Sequence, residues 1–224
     1  LDPDSDTPYV LETIQLLVEE LAVPLIGFAG APFTLASYLI EGAPSRTYTK
    51  TKALMMNDPE LWDSLMSRLV EIVISSLRSQ ISAGVSAIQL FDSWAGALSP
   101  SAYERFVLPY TKEIFSAIQN EEVPTIHFGV GTGEILHLMA SAGSSVMGVD
   151  WRTPLDVARD RLGLKVALQG NLDPAICFAS ENAISTEVQN ILERNAGHPG
   201  HIFNLGHGVL PETDPKVLER IVEQ

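Results

Sequence analysis

Apolar positions recur along this 224-residue chain with two different spacings, and the spacing switches repeatedly. Val10, Ile14, Leu17 and Leu21 fall three or four residues apart behind Thr7-Pro8, a capping residue followed by a first-turn proline, which predicts an amphipathic helix ending near Leu21. Pro24 to Ala29 then reads Pro-Leu-Ile-Gly-Phe-Ala, a short apolar run between turn residues, the pattern of a strand covered on both faces. Runs of the same kind recur at Ala87 to Phe91, Thr125 to Phe128, Val146 to Val149, Lys165 to Leu168 and His201 to Asn204, giving six predicted strands. Helical spacing fills the intervals. Asp58-Pro59 opens a long helix carrying Leu61, Leu65, Leu69, Ile72 and Val73, which should stop near Gly84. Ser99-Pro100 opens another, which Pro109 must break or kink because proline removes a helical hydrogen bond. Glu134 to Ala142, Pro154 to Leu162, Glu181 to Arg194 and Pro215 to Val222 complete the predicted set.

Strands that are apolar throughout and alternate with helices imply a parallel sheet in an α/β fold. Two closures are compatible with the count. An open doubly wound sheet accommodates six strands, whereas a (β/α)8 barrel needs eight strand–helix units and would be short by two. No segment reads as a linker or a repeat, so residues 1–224 are expected to form one domain. Leu21 to Ile40 is uncharged for twenty residues, long enough to cross a bilayer. Pro24, Gly27, Gly30 and Pro32 interrupt it, however, and its flanks (Glu19, Glu20, Glu41) are acidic, so a strand, a tight loop and a short helix are expected instead.

Composition narrows the function classes. Fourteen Lys and Arg stand against 28 Asp and Glu, a net charge of −14, so the basic footprint of a nucleic-acid binder is missing and an anionic membrane partner is disfavoured. Cys177 is the only cysteine, which excludes an internal disulfide or a Cys-cluster metal site and fits a reducing, cytoplasmic location. His137, His198 and His201 show no ligand spacing with a carboxylate, so no metal is expected. The chain opens Leu-Asp-Pro-Asp without an initiator Met or a signal-peptide pattern, which leaves open whether Leu1 is the natural start.

Parallel sheets place their chemistry at the carboxyl ends of the strands. Those positions here are Phe28-Ala29-Gly30 with Tyr38 a short helix further on, Phe91-Asp92-Ser93, His127-Phe128-Gly129, Asp150-Trp151-Arg152, Gln169-Gly170-Asn171 and Asn204-Leu205-Gly206-His207-Gly208. Each also has a plainer reading. Asp92, Ser93 and Asp173 read equally well as helix caps, and Tyr38 as a core tyrosine with a satisfied hydroxyl. His127, on an apolar run, reads as a buried histidine with its hydrogen bonds met. His207, in a loop between two glycines, favours a functional role. Ser93, His207 and an Asp could form a triad, but the Gly-x-Ser-x-Gly elbow is missing. Gly129-x-Gly131-x-Gly133 at a strand-to-helix turn, with Asp150 twenty-one residues past Gly129, suits a nucleotide, and keeps an S-adenosylmethionine-dependent, Rossmann-like methyltransferase as the alternative. Against it, His127 stands where such loops carry a carboxylate, and only two predicted strands follow Asp150.

Taken together, the strand-end segments resemble the uroporphyrinogen decarboxylase family of tetrapyrrole (haem and chlorophyll) biosynthesis. The matching blocks are Gly27-Phe28-Ala29-Gly30-Ala31-Pro32-Phe33-Thr34-Leu35 with Tyr38 and Glu41-Gly42, Gln89-Leu90-Phe91-Asp92-Ser93 with Ala95-Gly96, His127-Phe128-Gly129, Gly148-Val149-Asp150-Trp151, Gln169-Gly170-Asn171-Leu172-Asp173-Pro174 and Asn204-Leu205-Gly206-His207-Gly208. The resemblance implies a TIM (β/α)8-type barrel, incomplete here with six of its eight strand–helix units, that binds uroporphyrinogen at the strand ends and decarboxylates its four acetate side chains to give coproporphyrinogen without cofactor or metal. It implies catalytic roles for Tyr38, Ser93 and His207, and substrate contacts from Phe28, Ala29, Gly30 and Phe91. It also implies a homodimer with facing clefts. The family's Arg-Gln-Ala-Gly-Arg segment and a later Asp that binds the pyrrole N–H groups have no counterpart in the sequence, so the chain reads as the carboxyl-terminal part of such an enzyme and is expected to be inactive alone. Arg46 and Arg152, near strand ends, are candidate attractors for an acidic substrate.

Overall fold

A computed structural model describes residues 2–43 and 45–224. Six strands, β1 (Ile26–Gly30), β2 (Ala87–Phe91), β3 (Thr125–Phe128), β4 (Val146–Gly148), β5 (Ala167–Gln169) and β6 (His201–Ile202), form one parallel sheet. Each strand lies beside its neighbour in sequence, in the order β1-β2-β3-β4-β5-β6. A doubly wound sheet reverses direction at a switch point; this one does not, and its order is that of a barrel wall. Among the described residues β1 and β6 have a strand neighbour on one side only.

Strand register assigns every side chain to a face. Phe28 lies opposite Gln89, Phe91 opposite Phe128, Phe128 opposite Gly148, and Gly148 opposite Gln169. Side chains directly paired in register share a face, so these form one layer. That layer lines the concave side, because the Gln169 amide donates to the Gln89 carbonyl oxygen at 3.0 Å across two intervening strands. The opposite face carries Ile88, Leu90, Met147 and Leu168, all fully buried beneath the helices.

The helices are α1 (Pro3–Asp6), α2 (Pro8–Glu20), α3 (Pro32–Glu41), α4 (Thr49–Asn57), α5 (Pro59–Ser82), α6 (Pro100–Phe106), α7 (Leu108–Ile118), α8 (Leu136–Ala140), α9 (Leu155–Leu162), α10 (Glu181–Asn195) and α11 (Pro215–Val222). In α5, Asp58 caps the amino end by accepting from the Leu61 N–H, and Trp62, Met66, Val70, Val73 and Leu77 form a buried stripe at helical spacing. The Trp62 indole donates to the Phe106 carbonyl at 2.9 Å, tying α5 to α6. The predicted break near Pro109 falls at Val107, between α6 and α7. Leu21 to Ile40 is indeed a strand, a loop and a helix, and no helix among the described residues is long and apolar enough to cross a membrane.

Several boundaries differ from the sequence reading. Glu134 to Ala142 splits into a 3-10 turn (Gly133–Ile135) followed by the short α8. The fifth strand starts at Ala167 rather than Lys165, and the sixth is two residues long, with one further parallel bridge between Leu172 and Leu205. Helices α1 and α4 were not predicted. α4 reads Thr-Lys-Thr-Lys-Ala-Leu-Met-Met-Asn and buries only Thr51 and Met55, too few apolar positions to set a period.

Candidate active site

All six strands run the same way, so the residues after their carboxyl ends share one rim. A row of rings crosses it. Phe28 and Phe91 stand edge to face at 5.8 Å between centroids, Phe91 and Phe128 at 5.9 Å, and Phe128 and His207 at 6.4 Å, with Trp151 flanking His207 at 6.1 Å. A cavity of about 330 Å³ opens beneath the row, walled by Gln89, Phe91, Phe128, Gln169, Asn204 and His207. An apolar wall with a few fixed polar groups is how a binding site for a flat organic molecule is built. A larger hollow of about 600 Å³ between α2 and α5 has no strand-end residue in its wall.

The predicted site residues fall as follows. Tyr38 is not a core tyrosine: it is 60% exposed and its ring lies tilted against Trp94, the residue after Ser93, with centroids 4.1 Å apart. Tyr38 and Ser93 therefore occupy one corner of the rim, above β1 and β2. His207 is solvent-exposed in the loop after β6 and is linked by ring contacts to Phe128 and on to Phe91, two residues before Ser93. Phe28 faces the concave side and is 63% exposed. Ala29 packs its methyl the other way, toward the helices, so it offers the rim only its backbone. Gly30 ends β1 opposite Phe91, and a Cβ there would press on Leu35 of α3. Gln89 and Gln169 figure in the sequence reading only inside longer segments, and neither of them, nor Trp94, has a role of its own there. The signal was present, since a glutamine inside an otherwise apolar strand needs a partner or a ligand.

Neither Asp92 nor Ser93 caps the short 3-10 turn that follows (Ala95–Ala97), which has no side-chain cap. Asp173 does cap its turn, accepting from the Ala175 N–H at 2.9 Å. The Asp92 carboxyl points into the core instead, fully buried, and accepts from the Thr34 hydroxyl at 3.2 Å. His127 is also fully buried, with Nδ1 3.3 Å from the Met139 carbonyl, but Nε2 has no partner, so the expectation of a fully satisfied histidine fails.

The glycine-rich loop does not form a nucleotide cradle. The Asp150 carboxylate, which would hold a ribose, accepts from the Gly131 N–H at 2.7 Å and closes the loop on itself. Gly96 lies against the same loop so closely that a Cβ would run into the Val130 and Gly131 carbonyl oxygens. Gly206 packs in the same way on the backbone of Trp151. The rim glycines thus interlock successive loops. Arg152 is not a free cation, because its guanidinium bonds Asp150 at 2.8 Å and lies 3.8 Å over the Trp151 ring. Arg46 is exposed. No group of three or more His, Cys, Asp or Glu among the described residues could hold a metal ion.

In solved structures the fold is matched by a methyltransferase from Methanosarcina mazei (TM-score 0.84, 22% identity, 96% of this chain and 63% of that one). It is also matched by a B12-independent methionine synthase from Shewanella sp. W3-18-1 (TM-score 0.62, 14% identity, 93% of this chain and 62% of that one). At those identities the likeness shows the fold alone. In sequence the chain is 62% identical over 218 residues to a uroporphyrinogen decarboxylase of Salinispora tropica, covering 97% of this chain and 59% of that protein. Proteins of the same name from Streptomyces coelicolor (97% and 62% covered) and Thermobifida fusca (100% and 62% covered) are each 58% identical. The chain therefore spans about three fifths of the length of these relatives. The alternative of a Rossmann-like methyltransferase is overturned, both by these relatives and by the plugged glycine loop. The family described as uroporphyrinogen decarboxylase (URO-D) matches residues 1–224, from the first residue to the last, and with relatives at 58% to 62% identity the chain belongs to that family.

Proposed function

We propose that this chain is the carboxyl-terminal, larger part of a uroporphyrinogen decarboxylase, residues 1–224 forming one unit of six strand–helix repeats, which with the remaining two removes the four acetate carboxyls of uroporphyrinogen III to give coproporphyrinogen III. The observation that carries this reading is the aromatic row from Phe28 to His207 over a polar-floored cavity, in a chain that belongs to this family throughout. An acetate on a pyrrole loses CO2 only if the electron pair left behind has an acceptor. Protonating a pyrrole carbon first makes the ring that acceptor, and a later proton returns to the exposed methylene. The site must then seat a ring cation, orient one carboxylate and manage two protons.

Phe28 and Phe91 supply the apolar wall for the macrocycle, with the backbone of Ala29 and Gly30 beside it. Tyr38, open to solvent beside Trp94, donates to the reacting acetate. Ser93 holds a substrate carboxylate, and His207 a further carboxylate or the proton route. The reaction needs no cofactor or metal, and the enzyme is cytoplasmic. The body carries a net charge of −14 and Arg152 is already paired, so the attraction for a substrate with eight carboxylates comes from the missing segment, and the chain alone binds weakly. The completed barrel assembles as a homodimer, which sedimentation would show.

The test supplies an amino-terminal segment bearing Arg-Gln-Ala-Gly-Arg and measures coproporphyrinogen by chromatography after oxidation to the porphyrin. Activity should appear in the completed protein and be absent from the chain alone. A folded, completed protein without activity would overturn the reading. Within it, Tyr38→Phe should lower kcat on the order of 100-fold with thermal stability unchanged, and unaltered kinetics would remove Tyr38 from the site.

A further inference from the structure

We infer that Asp92 and His127 hold a single proton between them in a sealed space under the rim, and that this shared proton positions the Ser93 turn and the α3 segment carrying Tyr38. The claim about the proton stands on geometry; its link to catalysis rests on the proposed roles of Ser93 and Tyr38.

The donor inventory leaves little choice. A carbonyl oxygen only accepts, so the Met139 carbonyl requires that His127 carry a hydrogen on Nδ1. The Thr34 hydroxyl donates to Asp92 Oδ1. That leaves Asp92 Oδ2 and His127 Nε2, 4.0 Å apart, both fully buried and neither with any other partner. With no proton between them, two lone pairs would face each other in a dry space. With two, a buried imidazolium would lack a counter-charge. One proton sets a donor facing an acceptor, a pair that closes to a hydrogen bond once the carboxyl approaches the ring from 4.0 Å. The groups around the pair cannot replace it. α3 contributes the neutral Thr34, α7 the Phe115 ring at 5.3 Å from the imidazole, and α8 the Met139 carbonyl. α6 contributes Tyr103, whose buried hydroxyl is itself without a partner and is held neutral, its acidity suppressed by burial and by Asp92. No Lys, Arg or Glu shifts either member.

The pair also sits where it can set positions. The Asp92 N–H donates to the Phe128 carbonyl at 2.7 Å, and its own carbonyl accepts from Ala95 at 3.1 Å, closing the turn that contains Ser93. Its carboxyl reaches Thr34, one helical turn before Tyr38. Through its backbone N–H and its carboxyl, Asp92 thus joins the ends of β2 and β3 to α3.

Burial pushes Asp92 up to about 7, with Thr34 opposing, and pushes His127 down to about 4, with the Met139 carbonyl opposing. Between those values the folded pair keeps one proton, on the carboxyl. The unfolded chain also keeps one there, on the imidazole, because a free carboxyl ionises near 4 and a free imidazole near 6.5. Alone, a raised carboxyl loses stability as pH climbs from about 4 to about 7. Alone, a depressed imidazole gains stability from about 4 to about 6.5. The two slopes have opposite signs and nearly cancel in the intact pair.

The test uses the chain as it stands. Thermal midpoints of the native chain, Asp92→Asn and His127→Leu are measured from pH 4.5 to 7.0. Relative to the native chain, Asp92→Asn should rise in midpoint with pH and His127→Leu should fall. Slopes of the same sign, or no slope in either variant, would overturn the shared proton. Should a variant not fold, nitrogen NMR of the native chain decides: His127 should stay neutral with hydrogen on Nδ1 at pH 6, and an imidazolium there would overturn the assignment. In the completed enzyme, Asp92→Asn should retain activity above pH 7 where the native protein declines. Loss of that difference with the stability slopes intact would sever the pair from catalysis and leave the proton in place.

Discussion

The middle of the sheet and its two ends carry the same alternation of side chains and meet different surroundings. On the concave face, Ile126 of β3 is 1% exposed and Val146 of β4 5%, whereas Ile26 and Phe28 of β1 and Ile202 of β6 are between 43% and 63% exposed. Covering also thins outward at this end, since α5, packed on β1, buries a full stripe while α2, outside it, buries only Ile14 and leaves Tyr9 and Leu16 open. Strand pattern thus specifies which way a side chain points, and neighbours decide whether it is covered. At the outer edge of β1 the fold uses a side chain where a strand would pair: Gln80 of α5 accepts from the Phe28 N–H and donates to its carbonyl, both at 2.9 Å. An open edge with unpaired backbone is a template for association, and this amide blocks it.

Three experiments would break or sharpen that contrast. The largest effect is expected from truncating the same residue type in the same layer at both places. Ile126→Ala should cost about 3 kcal/mol in urea unfolding because it opens a cavity, and Ile26→Ala under about 1 kcal/mol because its side chain is already half in water. Equal losses would show that the ends are as well packed as the middle. Gln80→Ala should come next, at about 1 to 2 kcal/mol, together with concentration-dependent association in sedimentation as the β1 edge is freed. A monomeric variant would mean that the edge is protected by something else. The smallest effect is expected at the exposed ion pair of Arg194 with Asp156, 3.1 Å apart and each about half accessible. Arg194→Gln should leave the unfolding midpoint within error of the native chain, at low and at physiological salt alike.

The candidate site was partly legible. Parallel topology follows from strands apolar on both faces, and with it the placement of Tyr38, Ser93 and His207 on one rim. The meaning of the small residues there was not legible. Gly131 and Asp150 have the spacing of a nucleotide loop, and only the fold shows the carboxylate filling that loop itself. Asp92 and Ser93 are adjacent and both suit a cap, yet one turns into the core and the other stays on the rim, since Thr34 and His127, 58 and 35 positions away from Asp92, decide which way its carboxyl goes. α4 escaped notice because its residues carry too weak a period to separate a helix from a loop.

Local regularities settled the order and direction of the elements: helices open at proline and capping residues, and strands form where apolar runs sit between turns, because backbone dihedrals and hydrogen bonding depend on near neighbours. Tertiary packing alone settled which polar groups lost their water. Asp92, His127, Gln80 and Asp150 owe their partners to segments distant in the chain, and a charge or an unpaired amide in a dry space takes whatever partner the fold brings to it.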